Sequence, residues 1–82
     1  MNFAFDDDVR QMSEDAVDSA VNYLNSARDG GATPEKVQRR IRVLRNEIAF
    51  LRDNFPDSEY ANLKDVVFGG DVAEHYGLED LL

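Results

Sequence analysis

Few residues of this chain could perform acid–base or nucleophilic chemistry. The chain has one histidine, His75, and contains neither cysteine nor tryptophan. The serine hydroxyls are scattered and show no spacing typical of a Ser–His–Asp arrangement; they belong to Ser13, Ser19, Ser26 and Ser58. We interpret His75 as a surface or capping residue. We therefore expect a protein that is not an enzyme and has no catalytic residues.

The densest group of potential metal ligands is the run of three aspartates, Asp6–Asp8. Successive residues of a helix point in different directions, and the run lacks the alternating spacing and the closing glutamate of a calcium loop. The glycine pairs at 30–31 and 69–70 do not belong to a P-loop or a dinucleotide-binding motif, and we interpret them as caps and turns. We therefore predict no metal site and no cofactor.

The first helix is predicted to run from Asp6–Asp8 to about Arg28. Aspartates suit the N-terminal end of a helix, and Gly30 is expected to adopt the left-handed conformation that ends it. Phe3 and Phe5 are expected to precede the helix as a lid or a short extended segment. The predicted apolar stripe consists of Val9, Met12, Ala16, Val17, Ala20, Tyr23, Leu24 and Ala27, with Ser13 lying within it.

The second predicted helix contains most of the arginines. Thr33 is placed as its N-cap and Pro34 as its first residue, and Pro56 cannot continue it. Its apolar residues follow a heptad seam: Val37, Ile41, Leu44, Ile48, Leu51 and Phe55. The basic residues surround this seam, whereas a nucleic-acid-binding helix would gather them on one face. Three of them border the seam, where they are expected to meet carboxylates of neighbouring helices: Arg40, Arg45 and Arg52.

The remainder of the chain predicts shorter helices. One is expected at about 58–67, and another at 71–76, capped by Asp71 and closed by Gly77. The final LEDLL is expected to add a helical turn that covers the end of the bundle or, alternatively, to dock in the groove of a partner. The predicted fold is all-α. It is a small bundle forming one domain over residues 1–82, with an antiparallel helical hairpin and one or two shorter C-terminal helices.

Charge is distributed unevenly along the chain. The net charge is −8 overall, −5 over residues 1–33, +3 over residues 34–53 and −6 over residues 54–82. An acidic balance disfavours phosphate backbones and anionic membranes, so we expect no direct nucleic-acid binding and no membrane binding. The N-terminus has neither the basic region nor the apolar run of a signal peptide, and the expected location is the cytoplasm.

The acidic residues of the first helix are predicted to point away from its apolar stripe and to form a ridge about 30 Å long. They are Asp7, Asp8, Glu14, Asp15, Asp18 and Asp29. One interpretation is a solvated, solubilising face. The other is a docking surface for a protein with a basic surface, in which the carboxylates replace a row of phosphates.

In size, acidity, helical pattern and lack of cysteine, the chain resembles phage-encoded inhibitors of host nucleic-acid enzymes, such as anti-restriction and anti-CRISPR proteins. The resemblance is one of composition, and no site residue follows from it. It implies an inhibitor that docks its acidic surface on a nucleic-acid-handling host protein and mimics DNA there.

A second apolar strip lies outside the heptad seam of the second helix. Val43 and Phe50 form it, seven residues apart. Two interpretations stay open: contact with the third helix inside one molecule, or self-association into a homodimer. The second gives the alternative function, that of a self-associating structural or adaptor protein.

Overall fold

A computed structural model describes residues 3–63 and 67–82, with side chains described from Asp6 onward within these ranges. The described residues are helical or irregular, without a strand. The two long helices pack against each other as a hairpin, followed by short C-terminal elements, so the predicted all-α fold is confirmed. The elements are α1 (Phe3–Ala27), α2 (Pro34–Asn54), a first 3₁₀ helix (Glu59–Ala61), α3 (Val72–His75) and a second 3₁₀ helix (Glu79–Leu81).

Helix α1 begins earlier than the sequence predicts. Its backbone is helical from Phe3, so the expectation that Phe3 and Phe5 form a lid or an extended segment before the helix is wrong. Neither glycine nor proline occurs in this stretch, and nothing there prevents the helix from extending in the N-terminal direction. Asp6 consequently lies in the first turn, where its carboxylate still faces the positive end of the helix dipole.

The C-terminal end of α1 is closed by a glycine one position beyond the predicted one. Gly31, and not Gly30, has the positive φ, at +69°. The Ala32 N–H donates to the Ala27 carbonyl at 3.0 Å, and the Gly31 N–H donates to the Arg28 carbonyl at 3.4 Å. This pair of bonds is the Schellman motif, and it turns the chain into the short loop before α2.

Helix α2 begins and ends as the sequence predicts. The Thr33 hydroxyl accepts a hydrogen bond from the Lys36 N–H at 3.3 Å, and Pro34 is the first helical residue. At the other end, the Phe55 N–H donates to the Leu51 carbonyl at 2.7 Å. The heptad seam is confirmed, because five of its members are buried and Phe55 is half-buried; the five are Val37, Ile41, Leu44, Ile48 and Leu51.

The buried face of α1 is rotated relative to the predicted stripe. Ser13, Val17, Ala20, Leu24 and Ala27 are buried as expected, and Val21, which the predicted stripe omits, is buried as well. Met12, in contrast, is 71% exposed, so its assignment to the core is wrong. The rotation follows from the C-terminal segment, residues 58–63 and 67–82, which packs on the Val21 side of α1 through Asn25. The Asn25 side chain accepts from the Gly69 N–H at 2.9 Å and donates to the Val67 carbonyl at 3.4 Å.

The predicted third helix at 58–67 is wrong in extent. Ser58 caps a helical element, its hydroxyl accepting from the Tyr60 N–H at 3.2 Å, but the element is a 3₁₀ helix that ends at Ala61. The chain then extends, and the Leu63 N–H donates to the Leu81 carbonyl at 2.9 Å. The Leu63 N–H therefore binds a carbonyl distant in the chain, in place of the carbonyl four residues earlier that it would bind in an α-helix. Residues 64–66 of the predicted helix lie outside the described residues.

The last elements close the end of the core. Gly77 ends α3 with a φ of +69°, as predicted, while Asp71 occupies the N-cap position without a side-chain cap. The predicted turn in LEDLL is the second 3₁₀ helix, and it buries Leu78 and Leu81. Leu78 and Leu81 thus cover the end of the bundle, which is one of the two interpretations of this segment. Leu82 is 42% exposed.

Candidate interaction surfaces

The residues with potential catalytic chemistry are dispersed. His75 is exposed at the end of α3, where its ring lies edge-on to Tyr76 with 4.6 Å between centroids. The hydroxyls of Ser13 and Ser58 donate to Glu47 and Glu14, at 2.8 and 2.6 Å. In the described ranges no hydrogen bond joins His75 to a serine, and no group of three or more histidine, aspartate or glutamate side chains is arranged to hold a metal ion.

Five of the six predicted ridge residues are exposed: Asp7, Asp8, Asp15 and Asp18 on α1, and Asp29 in the turn that follows it. Glu14 is the exception, with a side chain only 18% exposed. Its Oε2 accepts from the Ser58 hydroxyl at 2.6 Å and from Arg10 Nε at 3.3 Å. The expectation that Glu14 points away from the rest of the molecule is therefore wrong, because the C-terminal segment packs against this edge of α1.

Asp18 also contacts the C-terminal segment, although it remains exposed. Its Oδ2 accepts a 2.8 Å hydrogen bond from the Tyr60 hydroxyl. This hydrogen bond, together with partial burial, raises the pKa of Tyr60 to about 12. The contact fixes the position of the Asp18 carboxylate while leaving its negative charge on the surface.

The charged part of the ridge is shorter than predicted. Asp7 and Asp18 are eleven residues apart, which spans about 17 Å of helix. Asp29 lies the same distance further along, and the exposed α1 residues between are uncharged up to Arg28: Ser19, Asn22, Asn25 and Ser26. We use the name acidic ridge for Asp7, Asp8, Asp15 and Asp18. Within the described part of the chain, none of these four carboxylates forms an ion pair, so their charge is uncompensated locally.

Further carboxylates enlarge the acidic surface at the same end of the hairpin. The C-terminus of α2 lies beside the N-terminal half of α1, because Ser13 contacts Glu47 and Ser58 contacts Glu14. This proximity brings three more exposed acidic residues near the ridge: Asp53, Asp57 and Glu59.

The arginines that border the heptad seam reach neighbouring elements, as predicted, and among the described residues one of the three, Arg45, forms a salt bridge. Arg45 forms two hydrogen bonds with Asp80, at 2.7 and 3.2 Å, and another with the Gly77 carbonyl. The hydrogen bond from Arg45 holds the pKa of Asp80 below its ordinary value. Arg52 Nε donates to the Ala61 carbonyl at 2.6 Å, which pins the first 3₁₀ helix to α2.

Arg40, the third of these arginines, binds across to α1. Its guanidinium lies 4.7 Å from the centroid of the Tyr23 ring, and it donates to the Ser19 hydroxyl at 3.4 Å. This is a cation–π contact combined with a hydrogen bond. A tyrosine and a serine thus contact Arg40 where a carboxylate is expected from the sequence.

The other basic residues of α2 remain exposed near the hairpin loop: Lys36, Arg39 and Arg42. The described residues provide no salt bridge to any of them. The hairpin is therefore basic at its loop end and acidic at the opposite end. The sequence shows basic and acidic segments, and the antiparallel packing converts them into two ends of one molecule.

One side of the hairpin carries the C-terminal segment, and the other is bare in the described ranges. Arg45, Arg52, Asp18 and Asn25 all make their contacts on the covered side. On the bare side, Val43 and Phe50 are 38% and 37% exposed. No helix of the described ranges covers them, so the interpretation as a contact with the third helix is wrong; the Phe50 ring has a neighbour in Phe55 instead, at 6.0 Å between centroids. We name this side the open face.

The open face includes residues from both helices. Tyr23 and Ser19 of α1 contact Arg40 on this side. Met12 precedes Tyr23 by eleven residues, close to three full turns, so it lies on the same side of α1. Since Ser13 contacts Glu47, Met12 lies beside the part of α2 between Val43 and Phe50. The open face is thus an apolar centre formed by Met12, Tyr23, Val43 and Phe50.

No protein-family model, curated protein or solved structure matches this chain. The two surfaces themselves, the acidic ridge and the open face, therefore carry the functional inference. No helix in the described ranges is long and apolar enough to cross a membrane.

Proposed function

We propose that the chain is a non-enzymatic binding module that docks its acidic ridge on a basic surface of a nucleic-acid-handling protein. In this role it occupies the place of nucleic acid and inhibits the partner, as anti-restriction and anti-CRISPR proteins do. The observation that supports the proposal most directly is the set of four exposed carboxylates along one helix, which no cation of the described residues neutralises.

The charge density of the ridge resembles that of a nucleic-acid strand. One DNA strand carries a phosphate about every 3.4 Å along the helix axis, so roughly five phosphates occupy 17 Å. The acidic ridge places four carboxylates in about that length. A basic groove that binds a phosphate backbone would meet a similar number of negative charges here, and long-range attraction would speed the encounter.

The ridge is also held in a fixed shape. Tyr60 positions Asp18, and the contact of Glu14 with Ser58 and Arg10 ties the middle of α1 to the C-terminal segment. A rigid surface loses less conformational entropy on binding than a flexible acidic tail does. The intramolecular bonds of Glu14 thus support the ridge, although Glu14 itself is not available to a partner.

The test is capture of a partner from lysate of the native host, compared between two charge-reversed variants. The ridge variant carries Asp7→Lys and Asp15→Lys, and the control carries Glu74→Lys and Glu79→Lys, which change the net charge equally at exposed sites on the C-terminal segment. We expect the wild type and the control to capture the same protein and the ridge variant to lose it. Asp18 is left intact because its removal would also disturb Tyr60.

Displacement by DNA makes the experiment specific. Duplex DNA added at constant ionic strength should release the captured protein, and the purified module should reduce DNA binding by that protein. A partner that is retained equally by both variants, or that binds DNA and the module simultaneously, would contradict the proposal.

A further inference from the structure

We propose that the open face binds a second copy of the chain, giving an antiparallel, two-fold symmetric dimer. The inference does not depend on the proposed function, because it rests on the exposed apolar side chains of Val43 and Phe50; the open face and the acidic ridge share Asp8. The occupant is identified by the charges at the two ends of this face.

The face is basic at one end. Arg39 precedes Val43 by four residues and Lys36 precedes it by seven, so both lie on the same stripe of α2 as Val43. Both are exposed, and in the described ranges neither forms a salt bridge. They extend the apolar centre toward the hairpin loop with two positive charges, whereas the exposed Glu35, four residues before Arg39, carries a negative one.

The face is acidic at the other end. Asp53 follows Phe50 by three residues on α2, and Asp8 precedes Met12 by four residues on α1. Both aspartates are exposed. They extend the apolar centre in the opposite direction with two negative charges.

This pattern is self-complementary under a two-fold axis perpendicular to the helices. In a symmetric dimer the same patch is used twice, so that if residue i of one copy meets residue j of the other, j also meets i. An axis midway between Val43 and Phe50 places each Val43 opposite the partner copy's Phe50. The same operation places each basic end opposite an acidic end. A parallel arrangement would instead bring like charges together.

The size of the face sets the expected strength. Lys36 and Asp53 are seventeen residues apart, about 25 Å of helix. The second dimension of the molecule is 20 Å. Two such faces bury roughly 1,000 Å² in total, near the lower limit for a specific interface. The dimer should therefore be concentration-dependent, and low salt should strengthen it because its charged ends are exposed.

The first test is the molar mass of the wild type by sedimentation over a range of concentrations, at low and high salt. Phe50→Glu should weaken the dimer on the order of tenfold or more, because it places a charge in the apolar centre. The matched control is Ala49→Glu, the neighbouring exposed residue, which lies about 100° around α2 from Phe50 and outside the apolar centre. Val43→Glu provides a second apolar variant if Phe50→Glu does not fold. A wild type that stays monomeric at every concentration in low salt, or an equal effect of Phe50→Glu and Ala49→Glu, would overturn the proposal.

The charge pattern permits a sharper test with two complementary variants. One carries Lys36→Glu and Arg39→Glu, so both ends of its face are acidic; the other carries Asp8→Lys and Asp53→Lys, so both ends are basic. Each alone should be monomeric, whereas their mixture should form a heterodimer. Adding Phe50→Glu to both should abolish that heterodimer. A mixture that associates equally with and without Phe50→Glu would show nonspecific charge attraction and would contradict the proposed face.

The orientation can be tested by disulfide formation, because the chain has no natural cysteine. Asn46 lies next to the proposed axis, so Asn46→Cys should oxidise to a covalent dimer. Lys36 lies far from the axis, so Lys36→Cys should not. Efficient crosslinking of Lys36→Cys would indicate a parallel dimer and contradict the antiparallel one.

Discussion

The Tyr60 hydroxyl donates a 2.8 Å hydrogen bond to Asp18, joining the C-terminal segment to the surface of α1. Through this bond, a residue of the C-terminal segment fixes the position of one carboxylate of the acidic ridge. The contact can be measured in solution, because the Asp18 carboxylate shifts the pKa of the Tyr60 hydroxyl that donates to it.

The first prediction concerns the titration of Tyr60. The hydrogen bond to Asp18 raises the pKa of Tyr60 to about 12, above its ordinary value of 10.0. A raised pKa in the folded state contributes stability that is fully present below about pH 10 and is lost as the pH rises toward 12. Phenolate absorbance measured against pH should show one tyrosine titrating late in the wild type. In Asp18→Asn that tyrosine should titrate nearer its ordinary pKa; an unchanged titration curve would contradict the contact.

The second prediction concerns the end of the chain. Leu78 is fully buried, and Leu82 is 42% exposed. Leu78→Ala should lower the free energy of unfolding by about 2–5 kcal/mol, because it leaves a cavity in a tightly packed site. Leu82→Ala should change it by less than about 0.5 kcal/mol. Urea unfolding followed by circular dichroism measures both, and a Leu78→Ala effect no larger than that of Leu82→Ala would contradict the packing of Leu78 in the core.

The third prediction concerns the turn between the two long helices. Gly31 has a φ of +69°, and a Cβ added there would meet no atom within 4 Å. The cost of Gly31→Ala is therefore backbone strain alone, about 1–2 kcal/mol of unfolding free energy. Gly69→Ala is the control, because its φ is not in the left-handed region and its Cβ would make only ordinary contacts with Asn25. In thermal unfolding, the midpoint temperature of Gly31→Ala should be clearly lower than that of Gly69→Ala.

The fourth prediction concerns acid. The hydrogen bonds from Arg28 and Arg45 lower the pKa values of Asp71 and Asp80 below the ordinary 3.8. A lowered pKa contributes stability that is present above about pH 4 and is lost as the pH falls through the folded-state value. Unfolding of the wild type should therefore become easier below pH 4.

The variant for this fourth prediction carries Asp71→Asn and Asp80→Asn. Its stability should depend less steeply on pH in that acidic range than the stability of the wild type does, as measured by urea unfolding at a series of pH values. The effect should be small because both carboxylates are well exposed. An unchanged pH dependence would indicate that these ion pairs do not persist in solution.

The sequence by itself determined the two long helices and the seam between them. The cap at Thr33, the proline that follows it and the heptad spacing are local signals, and local signals specify a helix wherever it packs. Gly31 shows the limit of such signals. Two adjacent glycines both permit the turn, and the backbone hydrogen bonds of the closed loop select the second one.

Tertiary structure decided the C-terminal segment and the composition of both surfaces. The bond between Leu63 and Leu81 replaces a helical bond that the local pattern favoured, and the position of Ser58 turns Glu14 from a surface charge into a structural contact. The same packing covers one side of the hairpin and leaves Met12, Val43 and Phe50 exposed on the other. Helical periodicity defines which residues share a side of a helix, but only contacts between residues distant in the chain decide which side another element covers.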